Sequence, residues 1–216
     1  MPTGQVDIIE NGCRYKVDWI GGQKTGFFLD QRVNREIVGK FAEGKSVLNT
    51  FCYSGGFSIQ ALMSGASEVC SVDVSAKAIA LLEEHISMNN IDASRHTAIK
   101  QDVLQFFKEH SKKYDIVVLD PPAYAKSKQK RHKAVQAYKR LNIAGLRSVK
   151  SGGFLYTFSC SQVVDNQLFY DTIMSACIEA GRTVSVLMRL TQPSDHPVNI
   201  FHPEGNYLKG LVLYIE

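Results

Sequence analysis

Tyr114-Asp-Ile-Val-Val-Leu-Asp120-Pro-Pro122 is the stretch of sequence that decides the fold. Its apolar run predicts a strand that is buried on both faces of a parallel sheet. The run stops at Asp120 and two prolines, which offer no N–H group to a neighbouring strand and stiffen the backbone. Because ligands bind at the carboxyl ends of the strands in an open α/β sheet, we expect Asp120 at an active edge.

Strands and helices alternate around this stretch, which predicts βαβ units and a parallel sheet with helices on both faces. Two further strands follow without a helix between them and are therefore predicted to be antiparallel. The expected fold is α/β and Rossmann-like, with a seven-stranded, mostly parallel sheet that ends in a C-terminal antiparallel hairpin. The predicted strands are 46–52, 68–74, 97–103, 114–120, 153–159, 182–190 and 207–215, and the predicted helices are 32–41, 56–64, 76–89, 104–112, 132–149 and 165–180.

The first thirty residues do not follow this alternation. Residues 6–10 and 13–19 flank Asn11-Gly12, which predicts a β-hairpin whose two central residues take positive φ. A segment with the sequence GQKTGFFLDQR then leads into the first helix. We therefore predict an N-terminal extension over residues 1–30 and one α/β domain over residues 31–216.

The composition is that of one ordinary globular domain of 216 residues. No apolar run approaches the ~20 residues that a membrane-spanning helix needs, and the N-terminus shows no secretory signal. The five cysteines include no C-x-x-C pair, so we expect reduced thiols in a cytoplasmic protein. The net charge of +4 permits a polyanionic partner without requiring one.

Asn49-Thr-Phe-Cys-Tyr-Ser-Gly-Gly-Phe-Ser58 predicts a strand, a glycine turn and the start of a helix. Gly55 and Gly56 allow the backbone to approach a ligand, and the helix N-terminus offers N–H groups. The spacing is not G-x-G-x-x-G, which disfavours a nicotinamide dehydrogenase. Asp73, at the tip of the second strand, can hold two ribose hydroxyls, and Asp102, at the tip of the third, can accept from an adenine amine. The alternatives are a packing turn and two helix-capping aspartates.

Together these features resemble class I S-adenosylmethionine-dependent methyltransferases. The segments 21–32, 49–58, 120–123, 158–161 and 195–210 resemble the bacterial RlmI-like group, which methylates carbon 5 of a cytosine in 23S ribosomal RNA. That group usually carries an N-terminal PUA domain, which does not appear in this sequence. The resemblance implies S-adenosylmethionine as cofactor, 23S ribosomal RNA as partner and no metal, and it leaves the oligomeric state open, with a homodimer as one option. The implied cofactor residues are Arg32, Phe51, Tyr53, Ser54, Gly55, Gly56, Asp73, Val74, Asp102 and Asp120.

Cys160 matches the cysteine of the Ser-Cys-Ser motif of that group and is predicted to be the nucleophile. Carbon 5 of cytosine is a poor nucleophile, and a thiolate that adds to C6 pushes electron density to C5. Asp120 is expected to contact the N3/N4 edge of the base or to orient it, and the alternative is that it only holds a turn. The alternative is a structural cysteine in an N- or O-methyltransferase that acts on another nucleic acid or on a small molecule. Ala123 disfavours an exocyclic-amine methyltransferase, which typically has an aromatic residue directly after the two prolines.

A basic stretch follows the Asp-Pro-Pro segment, with Tyr138-Lys-Arg140 shortly after it. We predict that its side chains contact RNA phosphates and that Tyr124 stacks on a base, with a solvated helix start as the alternative. His196, His202 and Glu204 are predicted to order their loop rather than to bind a metal. The predicted RNA-contacting residues are Tyr124, Lys126, Lys128, Lys130 and Arg131.

Overall fold

In the computed structural model, which describes residues 4–22, 26–125 and 127–216, nine β-strands and six α-helices follow one another along the chain. The strands are β1 (Gln5–Glu10), β2 (Cys13–Asp18), β3 (Ser46–Thr50), β4 (Glu68–Asp73), β5 (His96–Lys100), β6 (Tyr114–Leu119), β7 (Val149–Ser159), β8 (Val184–Leu190) and β9 (Lys209–Ile215). The helices are α1 (Arg32–Ala42), α2 (Gly56–Met63), α3 (Ala76–Met88), α4 (Val103–Glu109), α5 (Arg131–Ser148) and α6 (Asn166–Ala180).

Strands β3 to β9 form a seven-stranded sheet in the order β5-β4-β3-β6-β7-β9-β8. β4 pairs in parallel with β3 and with β5, and β6 pairs in parallel with β7. β9 is antiparallel to both β7 and β8. The predicted Rossmann-like sheet with a C-terminal antiparallel hairpin is therefore confirmed. Residues 116–119 of β6 are fully buried, as the apolar run indicated.

Two predicted strand limits differ from the structure by three residues or more, each for a local reason. β7 begins at Val149 rather than at residue 153, because Ser151-Gly152-Gly153 belongs to an irregularly paired part of the strand in which Gly152 has φ 78°. β5 ends at Lys100, so Asp102 does not end that strand. The Asp102 carboxylate instead accepts a hydrogen bond from the Gln105 N–H at 3.0 Å and caps α4.

The chain divides into two compact units, residues 1–101 and 102–216. In the first unit, the Asn11-Gly12 turn of the β1–β2 hairpin has φ values of 50° and 79°, as predicted. Glu10 of this hairpin forms a buried double hydrogen bond with Arg35 of α1, at 2.6 and 2.8 Å. A buried ion pair thus joins the hairpin to α1. The predicted domain boundary at residue 30 stays a prediction.

In the second unit, helices α5 and α6 pack on each other, and α5 also packs on β6 and β7. Tyr138, Tyr156, Phe158 and Phe169 are among the largest buried side chains of this core. α6 is capped by the Asp165 carboxylate, which accepts from the Leu168 N–H at 2.8 Å, and it ends at Ala180, as predicted, before Gly181 with φ 66°. Among the helices of the described ranges, none is both long and apolar enough to cross a membrane.

Candidate active site

The turn between β3 and α2 has an unusual backbone. Phe51, Tyr53 and Gly55 have φ values of 54°, 47° and 79°. Positive φ is uncommon for bulky residues and costs on the order of 1–3 kcal/mol for each, so surrounding contacts must impose it. Three hydrogen bonds do so here, from Cys52 N–H to Val72 O (3.1 Å), from Tyr53 N–H to Asp73 Oδ2 (2.9 Å) and from Gly55 N–H to Cys52 O (2.8 Å). Strain of this kind is typical of a ligand-binding turn.

Gly55 and Gly56 have a packing role that the sequence did not reveal. A Cβ atom on Gly55 would lie 2.0 Å from Leu82 Cδ1, and one on Gly56 would lie 2.8 Å from Arg35 Cδ. Both glycines are therefore required by the protein's own packing, whatever ligand approaches them. Gly55 precedes α2 without a side-chain cap, so the first N–H groups of that helix have no capping side chain.

Asp73, the last residue of β4, is half-buried and anchors the turn. Its Oδ2 accepts from Tyr53 N–H, and its Oδ1 accepts from Ser75 N–H at 2.8 Å. The capping of α3 that was the alternative for Asp73 is performed by Ser75, whose Oγ accepts from Ala78 N–H at 3.3 Å. Each carboxylate oxygen has a second lone-pair site, so the two oxygens can accept from the two hydroxyls of a ribose.

A buried polar chain lies below this turn and was missed by sequence reasoning. Asn49 Nδ2 donates to Ser58 Oγ at 2.8 Å, Ser58 Oγ and Ser71 Oγ are 2.7 Å apart, and Ser71 Oγ is 2.8 Å from His96 Nε2. Burial lowers the pKa of His96 to about 4, so the imidazole is neutral at pH 7. The chain joins β3, α2, β4 and β5 by side-chain hydrogen bonds, and no local sequence pattern indicates it.

The remaining predicted cofactor residues occupy varied positions. Tyr53 packs its ring edge-on to Phe28, with ring centroids 5.4 Å apart. Arg32 is the first residue of α1 and is half-buried, and Val74 is 69% exposed directly after Asp73. Asp102 is exposed at its capping position. The contact of these residues with a cofactor stays a prediction.

In the second unit, Asp120 and Cys160 follow the ends of the neighbouring parallel strands β6 and β7. Both side chains are half-buried. The segment after β7 is tied to the segment after β6, because Ser161 Oγ donates to Ala125 O at 2.9 Å. The structure thus gives the two residues predicted to be catalytic adjacent positions at one end of two paired strands.

Tyr138 of α5 lies fully buried beneath these two residues. Its ring meets that of Tyr124 edge-on, with centroids 4.8 Å apart. Burial raises the pKa of Tyr138 to about 12, and the nearby charges of Cys160 and Asp120 add to the increase. No separate role was predicted for Tyr138, which follows the basic stretch along the chain. It is a floor residue of the site, and only the helix phase of α5 determines this.

The basic stretch leads into α5 through one turn of 3-10 helix, Lys128–Lys130. Lys128, Lys130 and Arg131 are exposed, and within the described part of the chain none of them forms an ion pair. Lys126 lies outside the described residues. Tyr124 is half-buried and has one ring edge against Tyr138, so part of its surface is open to solvent.

The other cysteines and the histidine-containing loop have structural surroundings. Cys13, Cys52 and Cys70 are buried, and burial raises the pKa of Cys52 far above that of an ordinary thiol. His196 Nδ1 lies 3.0 Å from Asp195 Oδ1, and His202 Nδ1 lies 3.3 Å from Glu204 Oε1. Over residues 4–22, 26–125 and 127–216, no group of three or more His, Cys, Asp or Glu side chains is placed to hold a metal ion.

Comparison with known proteins agrees with this geometry. A family model described as S-adenosylmethionine-dependent methyltransferase matches residues 1–209. The Ribosomal RNA large subunit methyltransferase I of Tolumonas auensis is 43% identical over 217 residues, which cover 99% of this chain and 55% of the relative. The protein of the same name from Alteromonas mediterranea is 44% identical over 214 residues, covering 98% and 54% of the two chains.

The chain thus spans about half the length of the curated relatives it matches. Among solved structures, SMU.776, which is assigned as a methyltransferase and complexed with SAH, aligns with a TM-score of 0.88 and 32% identity. That alignment covers 99% of this chain and 56% of the other.

Proposed function

The chain belongs to the family of S-adenosylmethionine-dependent methyltransferases, and on this premise we propose that it forms 5-methylcytosine in 23S ribosomal RNA through a covalent bond to Cys160. The observation that carries this proposal is the position of Cys160, half-buried at the end of β7 beside the strand that ends at Asp120. Cys13, Cys52 and Cys70 are buried, and the half-buried Cys177 lies on α6 rather than at the end of a strand.

S-adenosylmethionine is the cofactor, and when bound it supplies an electrophilic methyl group on its sulfonium sulfur. We assign its ribose hydroxyls to Asp73, whose carboxylate is held by two backbone N–H groups and retains acceptor sites. We also assign the strained turn over Phe51–Gly55 and the uncapped N-terminus of α2 to the cofactor site. The neutral polar chain below the turn adds rigidity without adding charge.

Cys160 acts as the nucleophile in this proposal. Its thiolate adds to C6 of the cytosine, and the electron pair of the C5–C6 double bond becomes available at C5. After C5 has been methylated, removal of the C5 proton restores the double bond and expels the thiolate. In this proposal Asp120, which follows the strand next to that of Cys160, holds the polar N3/N4 edge of the base. The base must leave its stack for these contacts, so an unpaired or readily flipped cytosine is the expected target.

Two cationic features support an RNA partner. The first is the exposed side chains of Lys128, Lys130 and Arg131 at and just before the start of α5, which form no ion pair with any described residue. The second is a groove of about 660 Å³ between α4 and α5, which is lined by Lys108, His110, Arg140 and Arg147 over an apolar floor. Within the described ranges, these arginines and Lys108 form no ion pair with an acid, so their charge remains available for phosphates.

A ribosomal RNA substrate also places the protein in the cytoplasm, and a homodimer stays one option for its oligomeric state. We propose no metal for the reaction, since the thiol and the cofactor together account for the chemistry.

The decisive experiment uses RNA that carries 5-fluorocytosine. Fluorine at C5 cannot be removed as a proton, so after methyl transfer the thiolate cannot leave, and a denaturation-resistant protein–RNA complex should accumulate. Cys160→Ser should abolish both this complex and turnover, because a hydroxyl is far less ionised than a thiol. Cys177→Ser is the matched control, since Cys177 is also half-buried but lies on α6.

Full methylation by Cys160→Ser, or a trap that forms equally well in that variant, would contradict the covalent mechanism. An N- or O-methyltransferase with a structural Cys160 would then be the better assignment. Bisulfite sequencing of ribosomal RNA from cells with and without the gene would identify the methylated position.

A further inference from the structure

Lys209 is a buried cation close to the proposed nucleophile. It is the first residue of β9, it pairs with Ser159 at the end of β7, and only 5% of its surface is exposed. Its Nζ donates to Tyr207 O at 2.7 Å and to Ser161 O at 3.0 Å. An ammonium group has three N–H donors, so these two carbonyls leave one donor for another acceptor.

Lys209 thus contacts the residues on both sides of Cys160 along the chain. Its strand partner is the residue before Cys160, and its ammonium holds the carbonyl of the residue after it. The interaction with Cys160 is also electrostatic. Burial lowers the pKa of Lys209, while the negative charges of Cys160 and Asp165 raise it. A charge interaction is mutual, so an ammonium that a thiolate stabilises must stabilise that thiolate by the same free energy.

We propose that Lys209 is a positioning residue that fixes the backbone around Cys160 and stabilises the Cys160 thiolate. The proposal rests on the nucleophilic role of Cys160 and adds the group that activates it. The thiol proton passes to solvent, which reaches the half-buried Cys160, and Lys209 remains an ammonium ion throughout. Lys209 therefore acts as a fixed counter-charge and not as a general base.

Other titratable groups lie near Lys209 and Cys160 and affect the ionisation of both. Asp165, at the start of α6, is a carboxylate whose charge reaches Lys209. Asp120 and Tyr138 approach from β6 and α5, and the charges of both Asp120 and Cys160 act on Tyr138. The two carboxylates disfavour a thiolate, and Tyr138 is neutral at pH 7. A buried cation beside Cys160 opposes the effect of these two carboxylates on the thiolate.

The test is the pH dependence of Cys160 alkylation by iodoacetamide, followed by mass spectrometry of the Cys160 peptide. In Lys209→Met, the pH of half-maximal alkylation should rise by about 1–2 units, since the loss of a nearby opposite charge changes a pKa by about that amount. The rate near neutral pH should fall by about tenfold or more. Lys209→Arg keeps the charge and should retain most of the wild-type behaviour. Lys150→Met is the control, because Lys150 lies on β7 but pairs at the surface with Asp115.

Identical alkylation curves for Lys209→Met and the wild type would overturn the proposal. The wild type alone gives a second test that needs no variant to fold. Cys177 is a reference in the same digest, because burial raises its pKa to about 11. If wild-type Cys160 reacts only at the pH at which Cys177 reacts, the proposal also fails. Neither test involves RNA or cofactor, so an active Cys160→Ser enzyme would contradict the proposed function without altering these results.

Discussion

Asp73 has a role in the fold that is independent of the cofactor contact proposed for it. Its two oxygens accept from the N–H groups of Tyr53 and Ser75, and these bonds hold a turn in which Phe51 and Tyr53 have positive φ. The carboxylate is thus positioned before any ligand arrives. Preorganisation of this kind reduces the entropic cost of binding, which is a reason for a protein to maintain a strained turn.

At this residue we expect Asp73→Ala to weaken the binding of S-adenosylmethionine by about 1.5–3 kcal/mol, the value of a hydrogen-bond pair to a charged acceptor. Calorimetry with S-adenosylmethionine measures this directly. Asp73→Asn tests the need for both carboxylate oxygens, because its amide oxygen still accepts one backbone N–H while its Nδ2 can no longer accept the second. Asp92→Ala is the control, since Asp92 is an exposed aspartate that also accepts a backbone N–H, from Ser94 at 2.9 Å. Unchanged affinity in Asp73→Ala would contradict the ribose assignment.

At the scale of elements, helix α5 combines a buried and a charged face. Tyr138, Leu141 and Leu146 of this helix are fully buried in the second unit. Lys133, Arg140 and Arg147 are seven residues apart and so share a different face over about 21 Å of helix. Arg140 lies near Tyr124 in the segment after β6, and its positive charge acts against the rise in the Tyr124 pKa that burial causes. A cationic face that runs from this segment along a groove suits an RNA backbone.

We therefore expect neutralisation of this face to weaken RNA binding and to reduce its salt dependence. In Arg140→Gln/Arg147→Gln, each lost phosphate contact should reduce the slope of log K against log salt by about 0.7–1. Lys139→Gln is the matched control on the same helix, because Lys139 is paired with Glu179 at 2.8 Å. Cofactor affinity should not change in either variant. An unaltered salt slope in the double variant would show that the groove is ordinary solvated surface.

At the scale of the whole molecule, buried histidines make stability depend on pH. Burial lowers the pKa of His96 to about 4 and also lowers the pKa of His85. In the unfolded chain, a histidine titrates near pH ~6.5. Between these values the unfolded state binds the proton and the folded state does not, so stability is lost as the pH falls from about 6.5 towards 4. Above pH 6.5 the histidines bind no proton in either state, so their contribution to the free energy of unfolding is fully present.

The expected measurement is urea unfolding of the wild type and of His96→Gln between pH 7 and pH 4. Between pH 7 and pH 4 the wild type should lose about 2 kcal/mol of unfolding free energy relative to His96→Gln. The full pKa difference between the folded and unfolded states corresponds to ~3.4 kcal/mol, and the partial burial of His96 reduces that value. His85 and the carboxylates titrate equally in both proteins, so their effects cancel in the comparison. Parallel curves would show that His96 is accessible to protons in the folded state.

The sequence by itself determined the features that depend on neighbouring residues. Apolar runs, the glycine turn, the Asn11-Gly12 hairpin and the Gly181 helix end are local patterns, since burial periodicity and turn chemistry act over a few residues. They gave the seven-stranded fold and placed Asp73, Asp120 and Cys160 at strand ends. The strand limits near Gly152 and Asp102 were wrong, because an irregular pairing within a strand and a cap before a helix both resemble a different local pattern.

Only the tertiary structure decided which distant residues complete these sites. Lys209 reaches Ser161 across 48 positions of sequence through the antiparallel register of β7 and β9. Tyr138 becomes the floor of the site because the phase of α5 turns it inward, away from its basic neighbours. Leu82 imposes the glycine at position 55 from a different helix. Strand register, helix phase and packing distance depend on the whole fold, so no local pattern encodes them.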